Sequence, residues 1–115
     1  MASPTTAPAE PAPTIHRAER IPGPDGTVEW RDSPITEAEA VSRLRRGLDV
    51  VVRGPNRRDN RNRARQLMVT AFGGFEEDNP HNGRMALPHF HPPGRVPEVH
   101  AFFESPPRHA RRRKP

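Results

Sequence analysis

The chain has 115 residues and a formal net charge of +5, and it contains 16 prolines and no cysteine. This length allows one small domain, and the absence of cysteine excludes disulfides, thiolate zinc sites and cysteine nucleophiles. No apolar run is long enough to cross a membrane, and the N-terminus lacks the features of a Sec signal peptide. We therefore expect a soluble protein without a membrane partner. It would be cytoplasmic, or exported by a route other than Sec to act in the cytoplasm of a target cell.

Arginine supplies nearly all of the positive charge, since Lys114 is the only lysine. Guanidinium groups pair bidentately with phosphates and with base edges. The composition therefore suggests a nucleic-acid partner, although a GC-rich genome would produce the same bias without any function.

Composition divides the chain into three parts. Residues 1–26 are rich in Pro, Ala and Thr and are expected to form a disordered leader in which His16 is exposed. Residues 27–104 are expected to form a small α+β domain, with two helices packed on a small, mostly antiparallel sheet. Residues 105–115 end in RHARRRKP and predict a disordered, basic tail that binds polyanions loosely.

The first helix has the clearest signals. Thr36 followed by Glu39 fits a capping box at a helix start. Its apolar face repeats at helical spacing through Val41, Leu44 and Leu48. Gly47 is expected to end the helix. The DVVVR segment that follows, residues 49–53, predicts a strand buried on both faces.

A second helix is predicted from Arg57 to Phe72. Its arginines are dense, and three of them share one face at four-residue spacing: Arg57, Arg61 and Arg65, with Arg58 and Arg63 beside them. This surface is either an ordinary solvated face or a surface that binds phosphate. The free N–H groups at the helix start slightly favour phosphate binding.

The late part of the chain concentrates histidines. The segment LPHFHPPGRVPEVHAFFE, residues 87–104, reads as two short strands joined by a Pro/Gly turn, which predicts a β-hairpin. His89 and His91 then point to the same face, because side chains alternate along a strand. The register decides whether His100 joins them, since a slip of one residue moves it to the opposite face.

Two segments, DVVVRGPNRRDNRNRARQL and LPHFHPPGRVPEVHAFFE, resemble the C-terminal toxin-like domains of bacterial polymorphic toxins, which are large, secreted, repeat-containing proteins. In such modules a DVVV-like strand leads into a basic helix, and an LPH-x-H block precedes an H-x-F-[FY] strand. The matching blocks are Asp49–Val52, Leu87–His91 and His100–Phe103, and the resemblance extends over residues 35–104. Many of these modules are nucleases, and some are metal-independent ribonucleases. In the sequence as given, the module follows a short Pro-rich leader and not the long repeat region usual in the family. Three interpretations stay open: a detached cassette, a domain cut from a longer chain, or an inactive relative.

The resemblance implies a toxin-like nuclease that cleaves RNA rather than DNA. Such cleavage needs a base for the 2′-hydroxyl proton, an acid for the leaving oxygen and a cation for the phosphorane charge. We expect His89, His91 and His100 to act as base and acid, because histidine titrates near neutral pH. Arg95 in the hairpin turn and an arginine of the second helix would hold phosphate, and Glu104 would orient an imidazole.

Two other interpretations stay open. The same three histidines fit an open zinc site, to which the polar loop at residues 75–85 could add His81, Glu76 or Asp78. Alternatively, the protein is a non-catalytic nucleic-acid-binding module whose surface is the arginine-rich helix and the tail. Under the nuclease hypothesis we predict no cofactor, and the basic surface would suit an acidic immunity protein as partner. The alternative to a functional site is that these are ordinary loop and strand histidines.

Overall fold

The computed structural model describes residues 12–21, 27–78 and 87–106, and the backbone of 111–112. In these residues two α-helices and seven strands follow one another as β1 (Thr14–Arg20), β2 (Val28–Ile35), α1 (Glu37–Arg45), β3 (Val50–Arg53), α2 (Arg57–Phe72), β4 (Glu76–Asp78), β5 (His89–His91), β6 (Ala101–Phe103) and β7 (Arg111–Arg112). A short 3-10 turn, Pro93–Arg95, lies between β5 and β6. No helix in the described part of the chain is long and apolar enough to span a membrane.

The strands form one sheet in the order β4-β5-β6-β3-β1-β2-β7. Neighbours are antiparallel except for two pairs, β3 with β6 and β2 with β7. The predicted α+β fold with two helices on a small, mostly antiparallel sheet is therefore confirmed. β3 occupies the centre, and its three valines have no exposed surface, as expected for a strand covered on both faces.

Both helices pack on one face of the sheet. Their apolar residues join the inward residues of the strands in one core, including Leu44, Leu67, Val52 and Phe103. α1 begins with the predicted capping box, in which Thr36 Oγ1 accepts from the Glu39 amide. The helix ends before Leu48, which is 41% exposed and does not extend the apolar face as the sequence predicts.

α2 is fastened to the sheet by a buried asparagine. Asn60 has no exposed surface, and its Nδ2 donates to the carbonyl oxygens of Gly54 and Glu104, each at 2.9 Å. Those carbonyls follow the ends of β3 and β6, so one side chain ties the helix to two adjacent strands. The helix stops at Gly73, whose φ of 79° is left-handed and suits glycine.

The opposite sheet face carries the alternate residues of the same strands. A second apolar cluster lies there and includes Trp30, Val51, Leu87 and Phe102. Register places one row of residues side by side across β5, β6, β3 and β1: His89, Phe102, Val51 and His16. We call this surface, opposite the helices, the histidine face.

Three sequence predictions about irregular segments are wrong in part. The predicted disordered leader contains β1, which pairs with both β2 and β3 and buries His16. The predicted tail contains β7, which pairs in parallel with β2. The predicted polar loop begins with β4, which pairs with β5. In each case the strand is formed by pairing with distant segments, which local composition does not reveal.

Candidate histidine site

The hairpin of β5 and β6 brings the three predicted histidines together. Pairing of His89 with Phe102 and of Phe90 with Ala101 puts His91 next to His100, on the same face as His89. The ring centroids of His89 and His91 are 4.8 Å apart, and those of His91 and His100 are also 4.8 Å apart. His89 and His100 are separated by 5.1 Å. The register that the sequence left open therefore unites the cluster.

Hydrogen bonds orient two of the rings. His100 Nδ1 donates to Asp49 Oδ1 at 3.1 Å, and the same oxygen accepts from the backbone N–H of His100 at 2.8 Å. His89 Nδ1 donates to the carbonyl oxygen of Leu87 at 3.0 Å. With Nδ1 protonated, the neutral form of each ring leaves Nε2 as the basic nitrogen.

A short contact joins His89 and His91. Their Nε2 atoms are 3.2 Å apart, which is hydrogen-bond distance for one shared proton. One of the two nitrogens must then be protonated and the other unprotonated, because two lone pairs or two protons would repel. The pair therefore combines one proton donor and one proton acceptor.

Burial differs among the three. His91 and His100 are 6% and 5% exposed, whereas His89 is half-buried. Phe102 lies against His89 at 5.2 Å and stacks on His100 at 5.2 Å, so it forms an apolar floor. His89 is thus the most accessible of the three rings.

The acidic residues of β4 adjoin the cluster. Directly paired residues share a face, so the register places Glu76 beside His91 and Asp78 beside His89. The Glu76 carboxylate nevertheless turns to the hairpin, where it accepts from Gly94 N–H at 2.6 Å and lies 3.5 Å from Arg95 Nε. Arg95 therefore has an acidic partner of its own. The other predicted ligand from this segment, His81, lies outside the described residues.

The arginines of α2 lie on the other side of the sheet. Arg57 lies over the Phe103 ring and donates to Ser105, and Arg61 lies over the Phe90 ring; both phenylalanines face the helices. The expectation that an α2 arginine clamps phosphate at the histidines is therefore wrong for these two. Two further arginines of the helix, Arg58 and Arg65, are exposed to solvent.

Arg61 is also engaged by a carboxylate. Its Nε and Nη2 donate to Glu77 at 2.9 and 2.7 Å, a bidentate pair. This hydrogen bonding raises the pKa of Arg61 and lowers the pKa of Glu77. Arg61 is therefore partly neutralised before any phosphate arrives.

Sequence reasoning missed two charged residues of the histidine face. Asp49 orients His100, a role that the sequence analysis gave to Glu104. Glu104 instead forms an ion pair with Arg53, between Glu104 Oε2 and Arg53 Nε at 3.1 Å. Alternation along DVVVR could have shown that Asp49, Val51 and Arg53 share a face. The parallel pairing of β3 with β6, which makes that face the histidine face, has no local signal.

His16 lies on the same face but is held as a structural residue. Its Nδ1 donates to the Arg31 carbonyl at 2.8 Å, and Thr14 Oγ1 lies 2.9 Å from its Nε2. Burial lowers the pKa of His16 below its usual value of 6.5, although the Arg31 carbonyl opposes that shift. His16 is therefore favoured in its neutral form.

Comparison of the chain with protein-family models, curated proteins and solved structures found no match. The resemblance to polymorphic-toxin modules thus stays a prediction from the quoted motifs. The functional argument that follows uses the geometry of the histidine face.

Proposed function

We propose that this protein is a toxin-like nuclease that cleaves RNA at the cluster of His89, His91 and His100. The observation that carries the proposal is the Nε2 to Nε2 contact of 3.2 Å between His89 and His91. One ring of the pair offers an N–H and the other a lone pair. When the pair binds one further proton it would contain an imidazolium beside a neutral imidazole, which are the acid and base that general acid–base cleavage of a phosphodiester requires.

The environment of each ring suggests its role. His100 resembles the base of a carboxylate-oriented pair, because Asp49 fixes its tautomer and would stabilise the imidazolium that forms when Nε2 takes a proton. His89 is the more accessible member of the other pair. With its Nδ1–H held by the Leu87 carbonyl, it would act as the acid in its doubly protonated form, by donating the Nε2 proton to the leaving oxygen. The Nε2–H of His91 would then hydrogen-bond to the His89 Nε2 that has lost its proton.

Substitution of the accessible pair tests this function. Purified wild-type protein, His89→Ala and His91→Ala would be incubated with total RNA and with plasmid DNA. We expect the wild type to cleave RNA in preference to DNA and both variants to lose cleavage while their circular dichroism spectra stay native. Full RNA cleavage by the double variant His89→Ala/His91→Ala would overturn the proposal.

A zinc-dependent hydrolase is the second candidate, and a different property of the cluster favours it. One ligand nitrogen from each histidine lies within 4.8 Å of the others. Two nitrogens bound to one tetrahedral zinc at about 2.0–2.1 Å are about 3.4 Å apart, close to the 3.2 Å between His89 and His91. The Asp49 carboxylate and the Leu87 carbonyl also match the outer partners that orient histidine ligands.

Metal analysis separates the two candidates. Untagged protein would be dialysed against zinc and then against buffer, and its metal content measured by inductively coupled plasma spectrometry. About one zinc per chain, lost in His91→Ala, would assign the cluster to a metal. A zinc content below about one tenth of an ion per chain would leave the acid–base mechanism as the explanation of any RNA cleavage.

A further inference from the structure

Arg53 is a cation on the histidine face that no part of the proposed reaction yet uses. It follows the last valine of β3, and the pairing of Val52 with Phe103 places it beside Glu104 of the neighbouring strand. The side chains of His100 and Glu104 leave the same strand on the same face, four residues apart, or about 13 Å. Arg53 is therefore displaced from the histidines but shares their surface.

The guanidinium group of Arg53 is held in a fixed plane. Its central carbon lies 3.7 Å from the centroid of the Trp30 ring, and its Nε contacts Glu104 Oε2 at 3.1 Å. Glu104 is itself fixed, because its side chain is only 3% exposed and its backbone bonds to Val52 and Asn60. Trp30 and Glu104 thus hold the Arg53 side chain in place. The side chain would therefore lose little further conformational entropy when it binds an anion.

The described residues leave the terminal nitrogens of Arg53 without a hydrogen bond. Among residues 12–21, 27–78 and 87–106, neither Nη atom has a hydrogen-bond partner, and the side chain is 28% exposed. A shallow cavity of about 250 Å³ adjoins it, lined by Arg53, Gly54, Pro55 and Glu104. An oriented guanidinium fork beside an open cavity is the geometry that binds a phosphate through two parallel hydrogen bonds.

We propose that Arg53 is a phosphate-binding subsite that holds the substrate strand at a position remote from the scissile bond. Two anion contacts about 13 Å apart suit a polymer with several linked phosphates. The identity of that polymer as RNA rests on the proposed function, whereas anion binding by Arg53 does not. Arg53 is a substrate-binding residue in this scheme and takes no part in proton transfer.

Trp30 allows the subsite to be observed directly, because it is the only tryptophan and lies against Arg53. The full chain would be titrated with inorganic phosphate at constant ionic strength, with Trp30 fluorescence as the first readout and calorimetry as the second. Arg53→Gln is the test variant. Arg46→Gln, which removes the same charge from an exposed residue after α1, is the matched control.

We expect saturable binding in the wild type and in Arg46→Gln, and an affinity at least about tenfold weaker in Arg53→Gln. A short single-stranded deoxyoligonucleotide lacks the 2′-hydroxyl needed for cleavage. The affinities of the three proteins for it should follow the same order as their affinities for phosphate. If Arg53→Gln is too unstable to study, Arg53→Gln/Glu104→Gln also replaces the buried carboxylate that Arg53 contacts. Equal phosphate affinity in Arg53→Gln and wild type, or no saturable binding by the wild type, would overturn the inference.

Failure of this inference and failure of the proposed function give different results. Phosphate binding that depends on Arg53, in a protein that leaves RNA intact, would retain the subsite and overturn the nuclease. RNA cleavage by a protein whose phosphate affinity is unchanged in Arg53→Gln would retain the nuclease and overturn the subsite.

Discussion

Asp49 and His100 are joined by two hydrogen bonds although they lie 51 residues apart in the chain. One carboxylate oxygen accepts both the backbone N–H and the ring Nδ1–H of His100. The first bond fixes the strand and the second fixes the imidazole, so a single residue supports the fold and the proposed chemistry together.

Substitution at Asp49 should separate these two roles. Asp49→Asn keeps an oxygen for the backbone N–H but loses the charge that stabilises an imidazolium. We expect it to lower the rate of RNA cleavage by about 10- to 100-fold with little change in RNA affinity. Asp49→Ala should in addition destabilise the fold by about 1–3 kcal/mol, because a buried N–H loses its acceptor. Asp59→Asn, an exposed carboxylate in the first turn of α2, is the charge-matched control. Wild-type cleavage rates in Asp49→Asn would contradict the orienting role.

His16 should make stability depend on pH. Burial lowers its pKa in the folded state below the value of 6.5 expected when unfolded. The unfolded chain therefore binds this proton more readily, so the contribution of His16 to stability is fully present above about pH 6.5 and falls as pH drops through the folded pKa. Thermal unfolding from pH 7.5 to 5 should show a smaller loss of stability in His16→Gln than in the wild type. Parallel curves for the two proteins would refute the prediction.

Asn60 should be important for stability because it links three elements. Asn60→Ala leaves the buried carbonyls of Gly54 and Glu104 without this donor, and we expect a loss of about 2–4 kcal/mol in the free energy of unfolding. Asn62→Ala, two residues along the same helix and exposed, should change it by less than about 0.5 kcal/mol. Urea unfolding measures both. Gly54→Ala should resemble Asn60→Ala, since the added Cβ would lie 2.7 Å from Asn60 Oδ1.

The exposed arginines of α2 test the binding-module alternative. If this helix contacts nucleic acid, Arg58→Gln and Arg65→Gln should each lower the slope of log affinity against log salt by about 0.7 for a single strand. Arg61→Gln should change the slope less, because Glu77 already pairs with Arg61. An unchanged slope in Arg58→Gln/Arg65→Gln would exclude this surface from the interface.

The sequence predicted the elements that carry their own signals. The capping box of Thr36 and Glu39, the buried valines of β3 and the extent of α2 from Arg57 to Phe72 each follow from local sequence signals, and each was confirmed. The pairing of His89 with His91 on one face also followed from strand alternation alone. These features need no knowledge of any distant segment.

The remaining features depend on long-range pairing. β1 has weak apolar content, and it is a strand because β2 and β3 pair with its two edges. Asp49 reaches His100 only because β3 runs parallel to β6. From the sequence, Arg53 was predicted only to end a strand. Its position between Trp30 and Glu104 depends on the folded sheet. Apart from the hairpin of β5 and β6, composition and periodicity contain no information about which strands become neighbours.

The most direct test of the central claim is incubation of the purified protein with total RNA, with and without EDTA. The account predicts RNA cleavage that survives EDTA, because three imidazoles and no metal would transfer the protons. Cleavage abolished by EDTA would assign the same histidines to a metal ion. Intact RNA under both conditions would contradict the account, and salt-sensitive binding of RNA by the same protein would then favour the binding module.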